Sequence, residues 1–300
     1  AVAVYPLLIF FSGMLLSEIL FALCLVLAAF PLAAWWKRGG AGTALFAGLV
    51  LGIATLARPT APAWAALLVL SAVVLRIRPW PRLGRETLAL MLGGALIVLP
   101  WTARNAISLG EFVPLTTGGG CALYDGNNPY VVENPEMHGA AWSLRGVEPY
   151  ASEFRGLSEI EIDRLSLRHA LEFWRDHPGL LPSMALWKQA RFWRASAQAG
   201  RTGWWVAPDS GAARIARLFD PLLLSYGLAL PFFLVGLFLA LRRPREGAFV
   251  LPVIILSQAL LATLYWGSLR FRVPVEPFIL LLAAHGMVTL WRALRRRRVA

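Results

Sequence analysis

Clusters of basic residues border the long apolar stretches of this chain, and this pattern most constrains its fold. Of the 300 residues, 58% are hydrophobic and only 15% are charged, whereas soluble domains carry about a quarter charged residues. The composition therefore predicts a membrane protein that crosses the bilayer several times. Four clusters flank the apolar stretches: Lys37 and Arg38; Arg76, Arg78, Arg82 and Arg85; Arg242, Arg243 and Arg245; Arg292 and Arg295–Arg298.

The positive-inside rule places all four clusters on the cytoplasmic side, the C-terminus included. Residues 41–75 as one helix would be about 50 Å long, too long for one crossing, and Arg58, Pro59 and Pro62 interrupt them. The predicted fold is an all-α integral membrane protein with about seven transmembrane helices. These are Leu15–Trp36, Ala41–Leu56, Ala61–Leu75, Leu88–Thr102, Leu222–Leu241, Ala248–Trp266 and Val275–Trp291.

Three regions follow from this topology. Residues 1–104 are predicted as transmembrane helices, residues 105–219 as one large outer segment, and residues 220–300 as the C-terminal transmembrane helices. The outer segment is nearly balanced in charge, unlike the cytoplasmic loops. Ser158 and Glu161 form a capping-box pattern, which predicts a helix start in this segment.

A second helix of the outer segment is predicted from LPSMALWKQARFWRASAQ, which begins at Leu181. Lys188, Arg191 and Arg194 lie near one of its faces. A basic amphipathic helix rich in Trp fits an interfacial position along lipid headgroups. A solvated face above an ordinary core stripe fits the same pattern.

Two charged residues lie at the outer ends of predicted spans. Glu18 follows the start of the first span, and a carboxylate inside a membrane segment is by default a functional hypothesis. It either orients an arginine or a sugar hydroxyl, or caps the helix start. Arg58 lies between two short helices, where its guanidinium can bind a phosphate or extend to lipid headgroups.

Three further arginines are predicted on the same side. Arg104 ends the fourth span, and Arg270 and Arg272 precede Pro274. Proline disfavours helical geometry in the residue before it. If Arg270–Arg272 is extended, the two arginine side chains point the same way and grip one anion.

The polar stretch from residue 110 to 129 is the predicted substrate loop. Gly118–Gly120 permit left-handed backbone and close approach to a ligand. Tyr124, Asn127 and Asn128 are candidates for holding sugar hydroxyls. Asp125 and Asn127 provide two oxygen donors, well short of the six to eight that calcium needs. We therefore predict no metal and no cofactor.

Five motifs occur in the order found in a known enzyme family. They are YPLLIFFSGMLLSEILF, GLVLGIATLARPTA, LPWTARN, GEFVPLTTGGGCALYDGNNP and LRFRVPVEPF. In this order they resemble the family 39 glycosyltransferases of the GT-C superfamily, relatives of the protein mannosyltransferases and of the bacterial aminoarabinose transferase that modifies lipid A. The resemblance covers most of the chain and is strongest from Tyr5 to Pro129.

The resemblance implies a multi-pass enzyme of the cytoplasmic membrane that acts on its outer face. It would transfer a sugar from a polyprenyl-phosphate donor to a lipid, glycan or protein acceptor. Arg58, Arg104, Arg270 and Arg272 are candidates for stabilising the leaving phosphate. The family's catalytic aspartate lies in the first outer loop, upstream of residue 1, and Glu18 matches a different family position. The catalytic residue is therefore unassigned, and we expect no detectable transfer by these 300 residues alone.

Two other functions remain open. A transporter or flippase of a lipid-linked substrate would also place arginines and a membrane-embedded glutamate along its path. A membrane scaffold would use the outer segment to bind partners. Nucleic acid is not an expected partner, because the basic residues flank apolar spans.

Overall fold

The structure, a computed structural model, describes residues 2–14, 16–194 and 224–299. Within these ranges the chain forms helices and no β-strand, which confirms the all-α class. The α-helices are α1 (Pro6–Ser12), α2 (Glu18–Arg38), α3 (Ala41–Ala57), α4 (Pro62–Val74), α5 (Trp80–Leu109), α6 (Gly119–Asp125), α7 (Pro129–Glu133), α8 (Ala151–Phe154), α9 (Glu159–Asp176), α10 (Leu181–Phe192), α11 (Leu224–Leu241), α12 (Val250–Leu264), α13 (Leu269–Arg272) and α14 (Glu276–Val299). Short 3-10 helices are Val2–Val4, Pro135–Met137, Pro178–Leu180, Gly247–Phe249 and Val273–Val275.

Four helical segments of the described chain are long and apolar enough to cross a membrane. They are Glu18–Arg38, Trp80–Leu109, Gly247–Leu264 and Leu269–Arg296. Three shorter apolar helices cover Ala41–Ala57, Pro62–Val74 and Tyr226–Leu241. The chain is thus a helical protein with membrane character, and the number of seven spans stays a prediction. The predicted break at Arg58 is confirmed, since α3 ends at Ala57 and α4 begins at Pro62.

The helix that contains the predicted fourth span, Leu88–Thr102, extends beyond it at both ends. Helix α5 has 30 residues and includes Arg82, Glu86 and Arg104. Hydropathy ends a span at its first charged turn, but here Glu86 is buried in ion pairs with Arg78 and Arg82. Arg104 therefore lies within a helix and not at the start of a loop.

The described residues form two compact units. The first comprises residues 2–115, 224–258 and 273–299, and the second comprises residues 116–194 and 259–272. The sequence pattern predicted the outer segment to begin at residue 105 and assigned residues 259–272 to the C-terminal spans. In the structure these residues belong with the second unit, because backbone carbonyls near Leu264 bind its side chains.

Glycines bring helices of the first unit into backbone contact. A Cβ added to Gly48 of α3 would lie 2.0 Å from the carbonyl oxygen of Leu90 in α5, and one on Gly93 would lie 2.2 Å from that of Leu45. Gly236 of α11 and Gly286 of α14 make a second close pair. Small residues allow such approach between helices in membranes.

Three of the basic clusters meet at one end of the first unit. Arg78 donates to the carbonyl oxygens of Trp35 and Trp36 at 2.5 and 2.6 Å. Arg82 donates to that of Arg38 at 3.2 Å, and Lys37 pairs with Glu246 at 2.9 Å. These contacts agree with a common side for the first three clusters.

The second unit packs α6 against α9. A Cβ on Gly120 would lie 2.1 Å from the carbonyl oxygen of Asp163, so this glycine serves contact between helices. The capping box at Ser158 and Glu161 is confirmed. Helix α10 ends at Phe192, and residues 195–198 of its predicted extent lie outside the described residues. Lys188 of α10 is only 2% exposed, so the prediction that it lies on a basic surface is wrong.

Candidate functional site

A buried ion pair joins the two charged residues that the sequence predicted at span ends. Glu18 is the first residue of α2, and Arg58 follows α3 with extended backbone. Arg58 Nη2 lies 3.0 Å from Glu18 Oε1. The Glu18 side chain is fully buried and that of Arg58 is 18% exposed. Removing one partner of such a pair leaves an uncompensated buried charge. Each of the two side chains therefore stabilises the other in its buried position.

Aromatic side chains surround this pair. The Arg58 guanidinium carbon lies 6.0 Å from the ring centre of Phe21, one helical turn after Glu18. The Trp64 ring lies 5.9 Å from the same Phe21 ring and 6.4 Å from that of Phe278. Low polarizability around a charge weakens dielectric screening, which strengthens the field of Arg58 at this position.

An apolar cavity of about 1130 Å³ follows α2 from this position. Ile19 and Ala22 of α2 line it next to Glu18 and Phe21, with Leu251 of α12 and Phe278 of α14. Ser12 is the one residue with a polar side chain among its described lining residues. The cavity continues along α2 as far as Ala33. It is therefore an elongated apolar site whose lining along α2 begins at Ile19, the residue that follows Glu18 in the sequence.

Arg104 makes its contacts within its own helix. Its Nη1 donates to Asn105 Oδ1 at 3.2 Å, and its guanidinium carbon lies 5.1 Å from the Trp101 ring centre. Neither of these two contact residues, Asn105 and Trp101, belongs to the Glu18–Arg58 pair. Arg58 and Arg104 lie in the first unit and Arg270 and Arg272 in the second. The predicted convergence of these arginines therefore stays a prediction.

The two asparagines predicted to hold sugar hydroxyls are used by the protein itself. Asn127 Nδ2 donates to the carbonyl oxygens of Leu123 and Leu264 at 2.7 and 2.9 Å. Its Oδ1 accepts from Lys188 Nζ at 2.6 Å and from Trp174 Nε1 at 2.9 Å. Asn127 is 1% exposed. Asn127 thus fixes the loop through its own hydrogen bonds, and its role in binding sugar stays a prediction.

Asn128 has the same structural role. It is fully buried, and its Nδ2 donates to the carbonyl oxygens of Tyr124, Asp125 and Trp142 at 2.9, 3.2 and 2.9 Å. Its Oδ1 accepts from the backbone N–H of Val131 and caps α7. Buried amides require such partners, so Asn128 is not a sugar ligand in this arrangement.

Tyr124 is also buried, in a cluster with Leu123, Leu144, Phe154 and Ala170. Burial raises the pKa of its hydroxyl to about 12. The neighbouring Asp125 binds Arg145 at 2.7 Å, and burial raises the pKa of that carboxyl. With its side chain 4% exposed, Tyr124 serves the core of the second unit and does not face a substrate.

Arg270 and Arg272 are helical, so the prediction of an extended arginine pair is wrong. Helix α13 covers Leu269–Arg272, and residues two apart in a helix point in different directions. Arg272 is 1% exposed, and its Nη1 donates to the carbonyl oxygens of Phe192 and Arg194 at 3.0 and 2.7 Å. Arg272 thereby closes the end of α10 and does not offer this edge to an anion.

Lys188 is a buried cation that the sequence pattern assigned to a surface. Its Nζ donates to Asn127 Oδ1 and, at 3.2 Å, to the carbonyl oxygen of Leu264. Burial lowers the pKa of this amine to about 7. A basic stripe at helical spacing gives no signal that one of its members turns inward.

Sequence reasoning also missed Thr60 and Trp64, which lie two and six residues after Arg58. Trp64 is fully buried. Both residue types occur commonly in spans, so nothing in the local sequence marks them. Among the described residues, no group of three His, Cys, Asp or Glu side chains is arranged to hold a metal ion.

A scan of protein-family models, a search of curated proteins and a search of solved structures each found no match to this chain.

Proposed function

We propose that the chain is part of a GT-C-type glycosyltransferase that takes a sugar from a polyprenyl-phosphate carrier on the outer face of the cytoplasmic membrane. The observation that carries this proposal is the buried Glu18–Arg58 pair, in a unit that also contains an elongated apolar cavity lined along α2 from Ile19 onwards. A polyprenyl phosphate has the matching form, with an anion at the end of a long apolar chain. The ordered motifs of the GT-C resemblance support the same assignment.

Arg58 suits the chemistry of this transfer. The bond between the sugar carbon and the phosphate oxygen breaks, and its electron pair remains on the phosphate. Positive charge held close to that oxygen stabilises the developing negative charge. The acceptor oxygen forms the new bond to the sugar and loses its proton to a base. Glu18 is not assigned that role, since its carboxylate is engaged with Arg58.

Binding of the carrier is the first test. The chain in lipid nanodiscs is titrated with undecaprenyl phosphate and with undecaprenol, and binding is measured by native mass spectrometry. We expect the phosphate-bearing lipid to bind at least tenfold more tightly. The double variant Glu18→Leu with Arg58→Met should abolish this preference. Arg242→Gln is the matched control, because Arg242 stacks on Phe238 outside the pair and its loss should leave the preference intact.

Transfer and transport are separated by two further measurements. Cells that lack the gene are expected to accumulate a polyprenyl-phosphate sugar, detected in lipid extracts by mass spectrometry, and restored expression should remove it. The chain reconstituted in vesicles should not move a fluorescent polyprenyl phosphate between leaflets. Rapid movement without accumulation of a donor in the deletion strain would favour the transporter.

A further inference from the structure

The turn between α3 and α4, together with the first turn of α4, carries two side-chain donors that have no acceptor among the described residues. Several of its backbone N–H groups are satisfied: those of Ala61, Ala63 and Trp64 donate to the carbonyl oxygens of Arg58, Thr60 and Ala61 at 3.3, 3.2 and 3.1 Å. Two side-chain donors of this segment are in a different state.

Thr60 Oγ1 and Trp64 Nε1 are both buried, and neither has a hydrogen-bond partner among the described residues. Buried donors in proteins are nearly always satisfied, and exceptions call for an explanation. The indole N–H is the only hydrogen-bonding group of the Trp64 side chain, so an external acceptor is needed to satisfy it. A buried donor of this kind points to an acceptor that is not among the described residues.

Other tryptophans of the first unit show the usual behaviour. Trp35 Nε1 donates to Glu86 Oε2 at 3.0 Å, Trp36 Nε1 to the carbonyl oxygen of Pro244 at 2.8 Å, and Trp101 Nε1 to that of Leu115 at 2.9 Å. Among these four tryptophans of the first unit, only Trp64 lacks an acceptor within the described residues.

We propose that Thr60 Oγ1 and Trp64 Nε1 complete a phosphate-binding site with Arg58, and that its ligand is the phosphate of a polyprenyl phosphate. This inference rests on the proposed function and adds two residues to its site. The Phe21 ring is the common neighbour of the Arg58 guanidinium and the Trp64 ring. Donors on Arg58, Thr60 and Trp64, all within seven consecutive residues, suit a tetrahedral oxyanion, because its several oxygens accept from different directions.

The ion pair with Glu18 is compatible with this ligand. A guanidinium has five N–H donors in a planar fork, so it can bind one anion while a carboxylate holds another edge. Glu18 acts as a positioning residue that orients Arg58 towards the turn. Phe278 both lines the apolar cavity and lies against Trp64. The cavity is thus positioned to receive the apolar chain of the same ligand.

The test compares Trp64→Phe and Thr60→Val with the unaltered chain in nanodiscs. Trp64→Phe removes the N–H and keeps an aromatic ring between Phe21 and Phe278. The dissociation constant of undecaprenyl phosphate is expected to rise about tenfold for Trp64→Phe and several-fold for Thr60→Val, as for loss of a hydrogen bond to a charged group. Trp36→Phe is the matched control. It loses a bonded N–H elsewhere and should leave the dissociation constant unchanged.

Undecaprenol and inorganic phosphate serve as the other probes. Weak binding of undecaprenol with equal affinity for all variants supports recognition of the phosphate. Displacement of the lipid by micromolar inorganic phosphate would still support the phosphate site but overturn the lipid as its ligand. Unchanged affinity for undecaprenyl phosphate in both variants would overturn the site. Failure of the proposed function is recognised separately, by a deletion strain without donor accumulation although the phosphate site binds.

Discussion

Within the described residues, the two units of the structure differ in how completely their buried polar groups are satisfied. In the second unit, the side chains of Asn127, Asn128 and Arg272 donate hydrogen bonds to backbone carbonyl oxygens. In the first unit, the turn after Arg58 keeps the Thr60 and Trp64 donors without acceptors among the described residues. A polar group that the fold has already satisfied stabilises that fold. One left unsatisfied is the better candidate for a ligand contact.

This difference bears on which motif is the better candidate for binding a ligand. The asparagine-rich loop was the richest source of predicted sugar ligands, yet its amides bind the protein. The segment ARPTAPAW contains fewer polar residues, but the side-chain donors of Thr60 and Trp64 have no acceptor among the described residues. The predictions below test this contrast in order of decreasing effect.

The largest effect is expected at the Glu18–Arg58 pair. Arg58→Met should cost about 3–5 kcal/mol, because it leaves the Glu18 carboxylate buried without its cation. Glu18→Leu combined with Arg58→Met should recover most of this loss. Stability is measured by thermal unfolding in detergent micelles.

The exposed pair of Lys37 and Glu246 is the control for that experiment. Both side chains are more than half exposed, so Lys37→Met should cost less than about 1 kcal/mol. Equal losses for Arg58→Met and Lys37→Met would contradict the distinct role of the buried pair.

Lys188 predicts a pH dependence in the second unit. The pKa of its amine is about 7 in the folded chain and about 10.4 when unfolded. Between these values the unfolded chain binds more protons, so stability should rise with pH by up to about 1.4 kcal/mol per pH unit. The rise ends once pH exceeds the unfolded pKa. Melting of the second unit between pH 7 and pH 10 measures it.

Lys188→Met should flatten this pH dependence, whereas Lys37→Met should preserve it. A slope that persists in Lys188→Met would assign the titration to another group.

Backbone contacts at glycine predict a smaller loss in each unit. Gly48→Ala places a Cβ 2.0 Å from the Leu90 oxygen, and Gly120→Ala places one 2.1 Å from the Asp163 oxygen. Each should cost about 1–3 kcal/mol by overpacking. Cys24 of α2 and Cys121 of α6 provide one thiol reporter in each unit, read by maleimide labelling during unfolding.

Gly84→Ala and Gly119→Ala are the controls, because nothing lies within 4 Å of a Cβ at either position. They should leave labelling unchanged or slower. If Gly120→Ala accelerates labelling of Cys121 no more than Gly119→Ala does, the close contact of α6 with α9 is incorrect.

The smallest effect compares two threonines of the first unit. Thr102 Oγ1 donates to the carbonyl oxygen of Pro114 at 2.7 Å, so Thr102→Val should cost about 1 kcal/mol. Thr60→Val removes a hydroxyl that has no acceptor among the described residues and should change stability by less than about 0.5 kcal/mol. Urea-induced unfolding of both variants measures the difference. A larger loss for Thr60→Val would show that its hydroxyl is bound within the protein.

The sequence was sufficient for features that depend on neighbours along the chain. Apolar runs predicted the helices, Pro59 and Pro62 predicted the break after Ala57, and the Ser158 capping box predicted the start of α9. Charge at span ends also identified Glu18 and Arg58 as residues of interest. Their pairing was one of the open interpretations of Glu18, and the structure supports it.

The sequence was insufficient where partners lie far apart along the chain. Asn127 binds the carbonyl of Leu264, and Arg272 binds that of Phe192. A local motif shows that an amide or a guanidinium has donors, but not which distant carbonyl receives them. The same reason explains why the sequence did not predict that Lys188 and Glu86 are buried.

By itself, the sequence determined that this chain is helical, has membrane character and carries charge at defined helix ends, because hydropathy and turn chemistry act over a few residues. Only the tertiary structure decided which polar side chains are satisfied by the fold and which donors have no acceptor among the described residues. Hydrogen-bond satisfaction is a property of the packed chain, since each donor is matched by whatever acceptor folding brings within about 3 Å.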